Sequence, residues 1–349
     1  MSADPTDKEK FAVVTTVKDE GPFIVEWVAW HRMCGFDTII VFQNDSSDGT
    51  HEILKTLNAA GYIKYFYNRA SRGHIQVTAY HRASQLKEYQ DCDYVIALDI
   101  DEFLQVNIGS GLVQDYVASL PSFDRAVINW KLFGCSGAQF ISEDFVTEQF
   151  VGCEDSEKIA RHFTPYKSLF RRASYSRAGI HQPRGFSRVG DEPRVVNGSG
   201  LSEPNFALKN FQSTDPLYRR LAQINHYAVK DASSFVLKNI RGSAHQIDRE
   251  ISKGYWSRRN KNDEVDLSAA SRSRALRACV EEMNRKTNGR LERLTKRAVS
   301  VHKERFEQAL GNTASAELYE YCISSADALR GRRLRSALDI EVKDPEVLR

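Results

Sequence analysis

Two aspartates that lie one residue apart, Asp99 and Asp101, end an apolar segment, YVIALDIDEF at residues 94–103. An apolar run of this kind is typical of a buried parallel strand, and open α/β sheets bind ligands at the carboxyl ends of such strands. Two neighbouring carboxylates repel each other unless a cation lies between them. A hard divalent ion that also binds phosphate oxygens is the usual solution. The segment therefore predicts a metal and phosphate site.

Acidic and small polar side chains also follow two strands that the sequence predicts earlier in the chain. The first strand ends in TTVKDE, with Thr16 and Glu20, and the second leads into QNDSSDGT, with Asp45 and Asp48. A carboxylate at a strand end can bind a ribose hydroxyl or a base N–H, and small residues let the backbone approach a ligand closely. The other interpretation of the second segment is an Asx turn followed by a helix cap at Asp48 or Thr50.

The elements that must position these residues alternate regularly over the first hundred residues. Strands are predicted at 11–17, 38–42, 62–67 and 94–98, and the intervening helices at 23–34, 51–60 and 75–89. This alternation predicts an α/β fold with a mainly parallel sheet flanked by helices, and with nucleotide-binding character. Further along, a helix is predicted at 113–120 and strands at 126–133, 167–171 and 223–227, around a loop-rich segment at 173–211. From residue 268 the chain is predicted to be helical.

The composition limits the class of protein that the chain can represent. It has 349 residues, a net charge of +3 and a mean hydropathy of −0.48, which predict a soluble protein with a large core and argue against nucleic-acid binding. No apolar run is long enough for a membrane-spanning helix, and the polar N-terminus predicts no secretory signal. The six cysteines form no CxxC pair, so we expect reduced thiols, no zinc site and a cytoplasmic protein.

Several segments together resemble a known group of enzymes. The run VVTTVKDEGPFIVEWVAWHRMCGFDTIIVFQNDSSDGT is similar to the opening of family-2-like glycosyltransferases of the GT-A fold, in the branch with a KNEG-like start, and YVIALDIDEFL is similar to their DxD element. The resemblance continues through WKLFGCSGA, KSLFRR and INHYAVKDASSFVLKNIRG, so it extends from about residue 10 to about residue 245. The branch commonly has Asn at the position of Asp19, and NDSSDGT matches the family loop only loosely.

The resemblance implies that a sugar is transferred from a nucleoside-diphosphate donor, with UDP as the expected nucleotide, to an acceptor hydroxyl with inversion of configuration. It implies roles in nucleotide-sugar binding for residues near the strand ends and on the helix before the DxD strand: Thr16, Glu20, Asp45, Arg72 and Gln76. Lys230, Lys238 and Arg241 would meet the diphosphate, although a solvated helix face is the competing interpretation of these three cations.

The implied metal is Mn²⁺ or Mg²⁺. Asp101 would bind it directly, and Asp99 would reach the ribose or the donor sugar, or contact the metal through water. Enzymes of this kind often supply a late histidine to the ion, for which His226 in INHY and His181 in AGIHQPR are the candidates. Manganese accepts one imidazole among oxygen ligands. The ion would neutralise the departing diphosphate.

An inverting transferase needs a general base near the acceptor hydroxyl, and carboxylates usually serve. Glu148 in VTEQF is the first choice and Asp144 the second, among the acids that follow WKLFGCSGA; Glu143, Glu154 and Asp155 are the others. The expected acceptor is a glycan or a lipid-linked glycan, in glycan or polysaccharide synthesis.

The chain is predicted to divide into a disordered N-terminus at 1–9, a GT-A domain at 10–262 and a basic helical region at 263–349. Residues 241–310 contain 17 Lys and Arg against 10 Asp and Glu. These helices could lie on the inner, anionic face of a membrane, or form a homodimer interface or a solvated cap.

Two other functions compete with sugar transfer. A metal-dependent phosphohydrolase of the haloacid dehalogenase kind also places DxD at a strand end. That family has Thr or Val where this chain has Phe103, and it usually carries the motif on its first strand. The second alternative is a protein that binds a nucleotide sugar without turning it over. Fold alone does not decide between these functions.

Overall fold

The computed structural model describes residues 8–69, 74–156, 165–188, 190–202, 219–241 and 252–343, so the predicted site residue Arg72 lies outside the described residues. The strands, in chain order, are β1 (Phe11–Val17), β2 (Thr38–Gln43), β3 (Lys64–Tyr67), β4 (Tyr94–Ala97), β5 (Glu102–Val106), β6 (Arg125–Leu132), β7 (Gly152–Cys153), β8 (Tyr166–Arg171), β9 (Tyr175–Arg177), β10 (Arg184–Phe186), β11 (Val195–Asn197), β12 (Ala222–His226) and β13 (Glu264–Val265). The helices are α1 (Ile24–Met33), α2 (Thr50–Ala59), α3 (Ile75–Ala83), α4 (Lys87–Gln90), α5 (Val113–Ala118), α6 (Val146–Gln149), α7 (Ala232–Arg241), α8 (Lys253–Arg259), α9 (Ser273–Lys286), α10 (Arg290–Ala309), α11 (Thr313–Ser324) and α12 (Ala326–Lys343).

A nine-stranded sheet runs through the molecule in the order β3-β2-β1-β4-β8-β6-β12-β5, with β11 beside β6. The first four strands are mutually parallel. β8 is antiparallel to both of its neighbours, and β5 is antiparallel to β12. Because β6, β11 and β12 are parallel to one another, seven of the nine strands point in the same direction. The predicted α/β class, with a mainly parallel sheet flanked by helices, is confirmed.

The first strand and the first helix fix the position of the DxD segment. All seven residues of β1 are buried, as expected for a strand that helices cover on both faces. Trp27 and Trp30 of α1 are also buried, and their indole N–H groups donate to the backbone carbonyls of Glu102 (2.9 Å) and Leu104 (2.8 Å). Helix α1 therefore holds β5, which begins directly after Asp101.

Two elements differ from the predicted pattern. The helix predicted at 75–89 is broken into α3 and α4, because Ser84 ends the first helix and Leu86 adopts an extended backbone. Strand β5 is not predicted, since it follows β4 after only four residues, and such a short connection is uncommon after a buried parallel strand. β5 turns back along the sheet edge and pairs with β12, so that Glu102 lies opposite His226.

The predicted helical C-terminus is confirmed, and its helices pack on the sheet domain. Apolar residues of α9 and α10 belong to the same hydrophobic core as β1 and β2: Leu276, Met283, Leu291, Ala298 and Val299. All six cysteines are free thiols. Within the described ranges, no helix is long and apolar enough to cross a membrane.

Candidate active site

Asp101 lies at the centre of a small buried cluster of charged side chains. Its Oδ2 accepts a hydrogen bond from Nζ of Lys238 on α7 at 2.8 Å, and its Oδ1 lies 3.6 Å from Nε2 of His226 on β12. The pairing of β12 with β5 brings His226 here, and the backbone N–H of Tyr227 donates to Asp101 O at 2.8 Å. Two consecutive elements, β12 and α7, thus converge on a carboxylate that lies more than 100 residues earlier in the chain.

The charge states of this cluster follow from burial and from its neighbours. Burial alone would raise the pKa of Asp101, but the positive charge of Lys238, with contributions from His226 and Lys230, holds that pKa well below its usual range. Burial lowers the pKa of His226, and Asp101 opposes the shift only in part. Asp101 is therefore an anion and His226 is neutral at neutral pH, which are the forms in which each can bind a metal.

Asp99 belongs to a second buried cluster, around Lys167 of β8. Nζ of Lys167 lies 2.9 Å from Asp99 Oδ2 and 3.2 Å from Glu102 Oε2, while Gln76 donates to Asp99 Oδ1 at 2.7 Å. Burial would lower the pKa of Lys167, but Asp99 and Glu102 outweigh that effect and raise it. Burial raises the pKa of Glu102 to about 8, against the opposing effect of Lys167. Gln76 and Asp99 are predicted ligands in this region, whereas no sequence signal predicts Lys167.

Glu20 forms a third group with the cations of α7 and the segment before it. Its Oε1 accepts from Nη1 of Arg241 at 2.8 Å, and its Oε2 lies 3.6 Å from Nζ of Lys230. The same guanidinium donates to the backbone carbonyls of Lys18 and Asp19. Lys230 also stacks over the ring of Phe23, 4.3 Å from its centroid.

A cleft of about 620 Å³ is lined by the Glu20 group, and it reaches the Asp101 cluster through Lys238. Five of its lining residues are predicted nucleotide-sugar ligands: Glu20, Asp45, Lys230, Lys238 and Arg241. In total, five lysine and arginine side chains line it against three carboxylates, so the cleft suits an anionic ligand.

The backbone that lines the cleft has a left-handed conformation at three residues. Asp45 and Lys230 are predicted nucleotide-sugar ligands, and Asp19 precedes a third, Glu20. Asp19 and Asp45 both have a φ of 48°, and Lys230 has a φ of 52°. A left-handed backbone is uncommon outside glycine and persists where surrounding contacts impose it. Asp45 is exposed, and its carboxylate accepts from the Tyr67 hydroxyl at 2.5 Å.

Helix α10 forms part of the cleft wall, and its residues are not among the predicted site residues. His302, Arg305, Gln308 and Ala309 of this helix line the cleft. Arg305 Nη2 donates to Ser47 Oγ at 2.9 Å. No local motif marks these residues, because their partners lie more than 250 positions earlier in the chain.

His302 is anchored by Asp48, with 2.9 Å between Nε2 and Oδ2. Asp48 also accepts from the backbone N–H groups of Gly21 and Thr50, each at 2.9 Å. The bond to Thr50 fits the Asx-turn interpretation, whereas the N-cap of α2 is Gly49 and not Asp48 or Thr50. Burial would raise the pKa of Asp48, but His302 and Thr50 hold it well below its usual range.

Replacing Asp48 by Asn is expected to lower the free energy of unfolding by about 1–2 kcal/mol, because the amide oxygen keeps the bond to the Thr50 N–H but the charge-assisted bond to His302 is lost. Chemical denaturation at neutral pH measures the loss, with Asp45→Asn on the exposed part of the same loop as the control. Because the folded-state pKa of Asp48 is lowered, the wild-type advantage exists above the ordinary carboxyl value of 3.8 and disappears as the pH falls below it. A difference that persists unchanged at low pH would contradict this account.

The remaining predicted residues occupy different surroundings. Thr16 is buried on β1, and its hydroxyl has no hydrogen-bond partner in the part of the chain that the structure describes. His181 contacts Tyr166 O through Nδ1 at 2.9 Å, and its ring lies 5.7 Å from that of Trp130. The His226 ring lies 4.1 Å from the same indole, so both predicted histidines pack against Trp130, but His226 is the one in contact with Asp101.

The structure does not bring Glu148 and Asp144 to the Asp101 cluster. Glu148 forms an ion pair with Arg277 of α9, and Asp144 accepts from the Ser142 hydroxyl at 3.0 Å. The position of this segment is set by Glu26 on α1. Its carboxylate accepts hydrogen bonds from the backbone N–H groups of Val146 and Thr147 and so holds α6 against α1. Burial raises the pKa of Glu26 to about 7, although these bonds oppose the shift.

The donor set around Asp101 is compatible with one divalent ion that a ligand would complete. Asp101 and His226 offer an oxygen and a neutral nitrogen side by side. No group of three or more His, Cys, Asp or Glu side chains among the described residues is placed to hold a metal by itself. Mg²⁺ and Mn²⁺ are commonly bound by one or two carboxylates together with water and substrate phosphates, so two protein ligands fit such an ion.

Comparison with protein families gives one match that covers most of the chain: the model of glycosyltransferase family 92 matches residues 15–253. A glycosyltransferase family 92 protein of Arabidopsis thaliana is 28% identical over 258 residues, which are 69% of this chain and 39% of that protein. One from Oryza sativa subsp. japonica is 28% identical over 138 residues, which are 39% of this chain and 23% of that protein. The chain thus spans well under half the length of these curated relatives.

Similarity to solved structures is remote. The crystal structure of S. aureus TarS 1-349 has a TM-score of 0.33 and 13% identity, and the match covers 94% of this chain and 92% of that one. The same fragment in complex with UDP has a TM-score of 0.32 and 17% identity, over 47% of each chain. At these scores the likeness supports no inference about function.

Proposed function

Because the chain belongs to glycosyltransferase family 92, we propose that it transfers a sugar from a nucleoside-diphosphate donor to an acceptor hydroxyl. The expected donor is a UDP-sugar, and the expected outcome is inversion, in a GT-A site of the family-2-like kind. The observation that carries the proposal is the cleft itself. Its cations converge from one side on Asp101 and Glu20, at the ends of two parallel strands, where α/β sheets bind ligands.

The donor diphosphate would lie between Asp101 and the cations of the α7 region. Lys230, Lys238 and Arg241 supply positive charge there. Lys230 and Arg241 are now paired with Glu20 in the cleft, and Lys238 is paired with Asp101 beside it. A diphosphate that enters would exchange these ion pairs for contacts with its own oxygens. Charged donors fixed in this way stabilise the negative charge that develops on the leaving diphosphate, without reorganisation during the reaction.

Asp101 and His226 would hold Mn²⁺ or Mg²⁺, and the bound ion would act as a Lewis acid on the leaving group. His226 keeps its orientation by packing on Trp130 and by pairing with β5. Lys238 keeps Asp101 ionised and directs its Oδ1 towards His226. Asp99, held by Gln76 and Lys167, would present its partly exposed edge to the ribose or the sugar.

The general base remains a prediction. Glu148 and Asp144 are the sequence candidates, and their present contacts place them at the interface of α1 with α6 and α9. Glu154, another of the acids that follow WKLFGCSGA, lies beside the strand next to His226, and its carboxylate pairs with Arg219 at 2.7 Å. Its backbone N–H donates to Leu132 O at 2.9 Å, and Leu132 is paired with His226 in the sheet. Glu154 therefore joins Glu148 and Asp144 as a candidate.

The acceptor is proposed to be a glycan or a lipid-linked glycan, and the protein to act in the cytoplasm at the inner face of the membrane. The basic faces of α9 and α10 support this proposal, since exposed cations there can contact anionic lipid: Arg274, Arg285, Arg293, Lys296 and Arg297. A homodimer through these helices is the alternative use of the same surface.

Metal removal tests the donor site. With EDTA in place of Mn²⁺, the affinity for UDP measured by calorimetry is expected to fall at least about tenfold, because the diphosphate loses its strongest partner. Mg²⁺ should restore part of the affinity. Equal affinity with and without the ion would refute the metal assignment and leave the lysines and arginines as the only diphosphate ligands.

A screen of UDP-, GDP- and dTDP-sugars for slow hydrolysis then tests turnover. Release of free sugar from one donor class is expected, since water can replace the acceptor in transferases. Tight UDP binding without turnover of any donor would favour the nucleotide-sugar-binding alternative. Phosphate release from simple phosphomonoesters would favour the phosphohydrolase.

A further inference from the structure

Helix α10 lies beyond the segment that matches family 92, yet it lines the same cleft. The matched segment ends at residue 253, and α10 spans Arg290–Ala309. His302 and Arg305 are the two residues of α10 that also bond to the loops after β1 and β2. These loops carry Glu20 and Asp45, two of the predicted donor ligands.

The helix approaches these loops too closely to be a loosely attached cap. A Cβ atom placed on Gly21 would lie 2.8 Å from Cβ of Ala298, so only glycine fits where α10 crosses the loop. The side chain of His302 is buried, and its bond to Asp48 ties the centre of α10 to the start of α2. Its Nδ1 has no hydrogen-bond partner within the described ranges. The wall formed by α10 is therefore fixed in place before a ligand arrives.

Arg305 lies at the acidic part of the cleft. Its Nη1 is 3.4 Å from Asp19 Oδ1 and its Nη2 is 2.9 Å from Ser47 Oγ, with the side chain still 30% exposed. A guanidinium carries five N–H donors, so these two contacts leave others available. Asp45 lines the same cleft.

A phosphate would be repelled by Asp19 and Asp45, and the cations around Asp101 and Glu20 offer it a better place. A neutral group with both donors and acceptors fits between two carboxylates and a guanidinium. A nucleobase and its ribose have this character, since their N–H and O–H groups can donate to Asp45 while their carbonyl oxygens accept from Arg305. The cations around Asp101 and Glu20 thus define an end of the cleft that suits a diphosphate, and Asp45 and Arg305 define an end that suits a nucleoside.

We propose that helix α10 forms the nucleoside wall of the donor cleft and that Arg305 donates hydrogen bonds to the nucleoside of the donor. This inference rests on the proposed function, because it assumes that the cleft binds a nucleoside diphosphate. It assigns to the C-terminal helices a role in donor selection, in addition to any contact with a membrane or a second copy.

The test compares UDP with inorganic pyrophosphate, which has no nucleoside, by calorimetry in Mn²⁺ buffer with the full-length chain. Arg305→Met is expected to weaken UDP binding about tenfold or more and to leave pyrophosphate binding unchanged. The loss of one hydrogen bond to a charged donor lowers an affinity by about this factor. Arg297→Met, on an exposed position of the same helix, is the matched control and should change neither affinity.

A positioning role for Arg305 predicts a different result. If Arg305 acts only by holding the β1 loop, Asp19→Asn should weaken UDP binding as much as Arg305→Met does, and the double variant no further. Equal losses for UDP and pyrophosphate in Arg305→Met would assign the residue to the diphosphate and overturn the inference. Unchanged UDP binding in Arg305→Met would also overturn it, and would leave the proposed function intact. A wild-type protein that binds neither UDP nor pyrophosphate would refute the proposed function, and this inference with it.

Discussion

Replacing Asp101 by Asn is expected to lower the rate of sugar transfer about a hundred- to a thousandfold, and to remove the effect of Mn²⁺ on UDP binding. Asp101 is held as an anion by Lys238, and it is the carboxylate in contact with His226. Asn preserves the size of the side chain but not its charge, so it is a poor ligand for a hard cation. The variant should bind UDP equally with Mn²⁺ and with EDTA.

Two controls separate this effect from misfolding. Asp91→Asn, at an exposed position before β4 where the side chain pairs with Lys87, should retain activity and metal-dependent binding. Thermal unfolding of Asp101→Asn should show a folded protein, because Lys238 keeps its second bond to Ala228 O at 2.8 Å. An Asp101→Asn variant that is folded and still binds UDP more tightly with Mn²⁺ would contradict the role of Asp101.

The positions of residues that closely follow a predicted strand can be derived from the sequence. β1, β2 and β4 are short apolar runs, and the acids that follow them had to meet at one sheet edge once the strands were parallel. Glu20, Asp45 and Asp101 could therefore be assigned to this edge without knowledge of the fold. The contact between His226 and Asp101 is harder to predict, because it depends on β5, which the sequence pattern does not predict.

Contacts between segments that are far apart in the sequence cannot be derived from the local sequence pattern. Arg305 and His302 lie in a helix rich in charged residues, where the sequence pattern does not distinguish them from solvent-exposed side chains. Their partners are in loops near the N-terminus. The resemblance of VTEQF to the branch's pattern near its acceptor site predicts Glu148 as the general base. Its real neighbourhood is decided by Glu26, a buried carboxylate that holds the start of α6.

The partners of Lys167 also depend on packing between distant segments. Its replacement has the largest expected effect on the free energy of unfolding. It lies in KSLFRR, where alternation with Leu169 would place it on a buried face, and its side chain has no solvent exposure. Lys167→Met leaves the Asp99 and Glu102 carboxylates without their shared cation. The free energy of unfolding is expected to fall by about 3–5 kcal/mol, as measured by chemical denaturation, because both carboxyl groups lose the buried cation that they share. Lys64→Met, at an exposed ion pair with Glu88, should change it by less than about 1 kcal/mol.

The pH dependence and a second variant identify the cause of that loss. The pKa of Glu102 is raised to about 8 in the folded protein, so the cost of its burial to stability grows as the pH rises from the ordinary carboxyl value of 4.5 to about 8 and stays constant above that. Without Lys167, which opposes the shift, the pKa rises further. The deficit of Lys167→Met relative to wild type should therefore grow as the pH is raised above 8. Adding Glu102→Gln removes the titrating group, so the double variant should recover most of the stability and lose this pH dependence. Strictly additive losses, with the same deficit at pH 7 and pH 9, would mean that Lys167 contributes packing rather than charge.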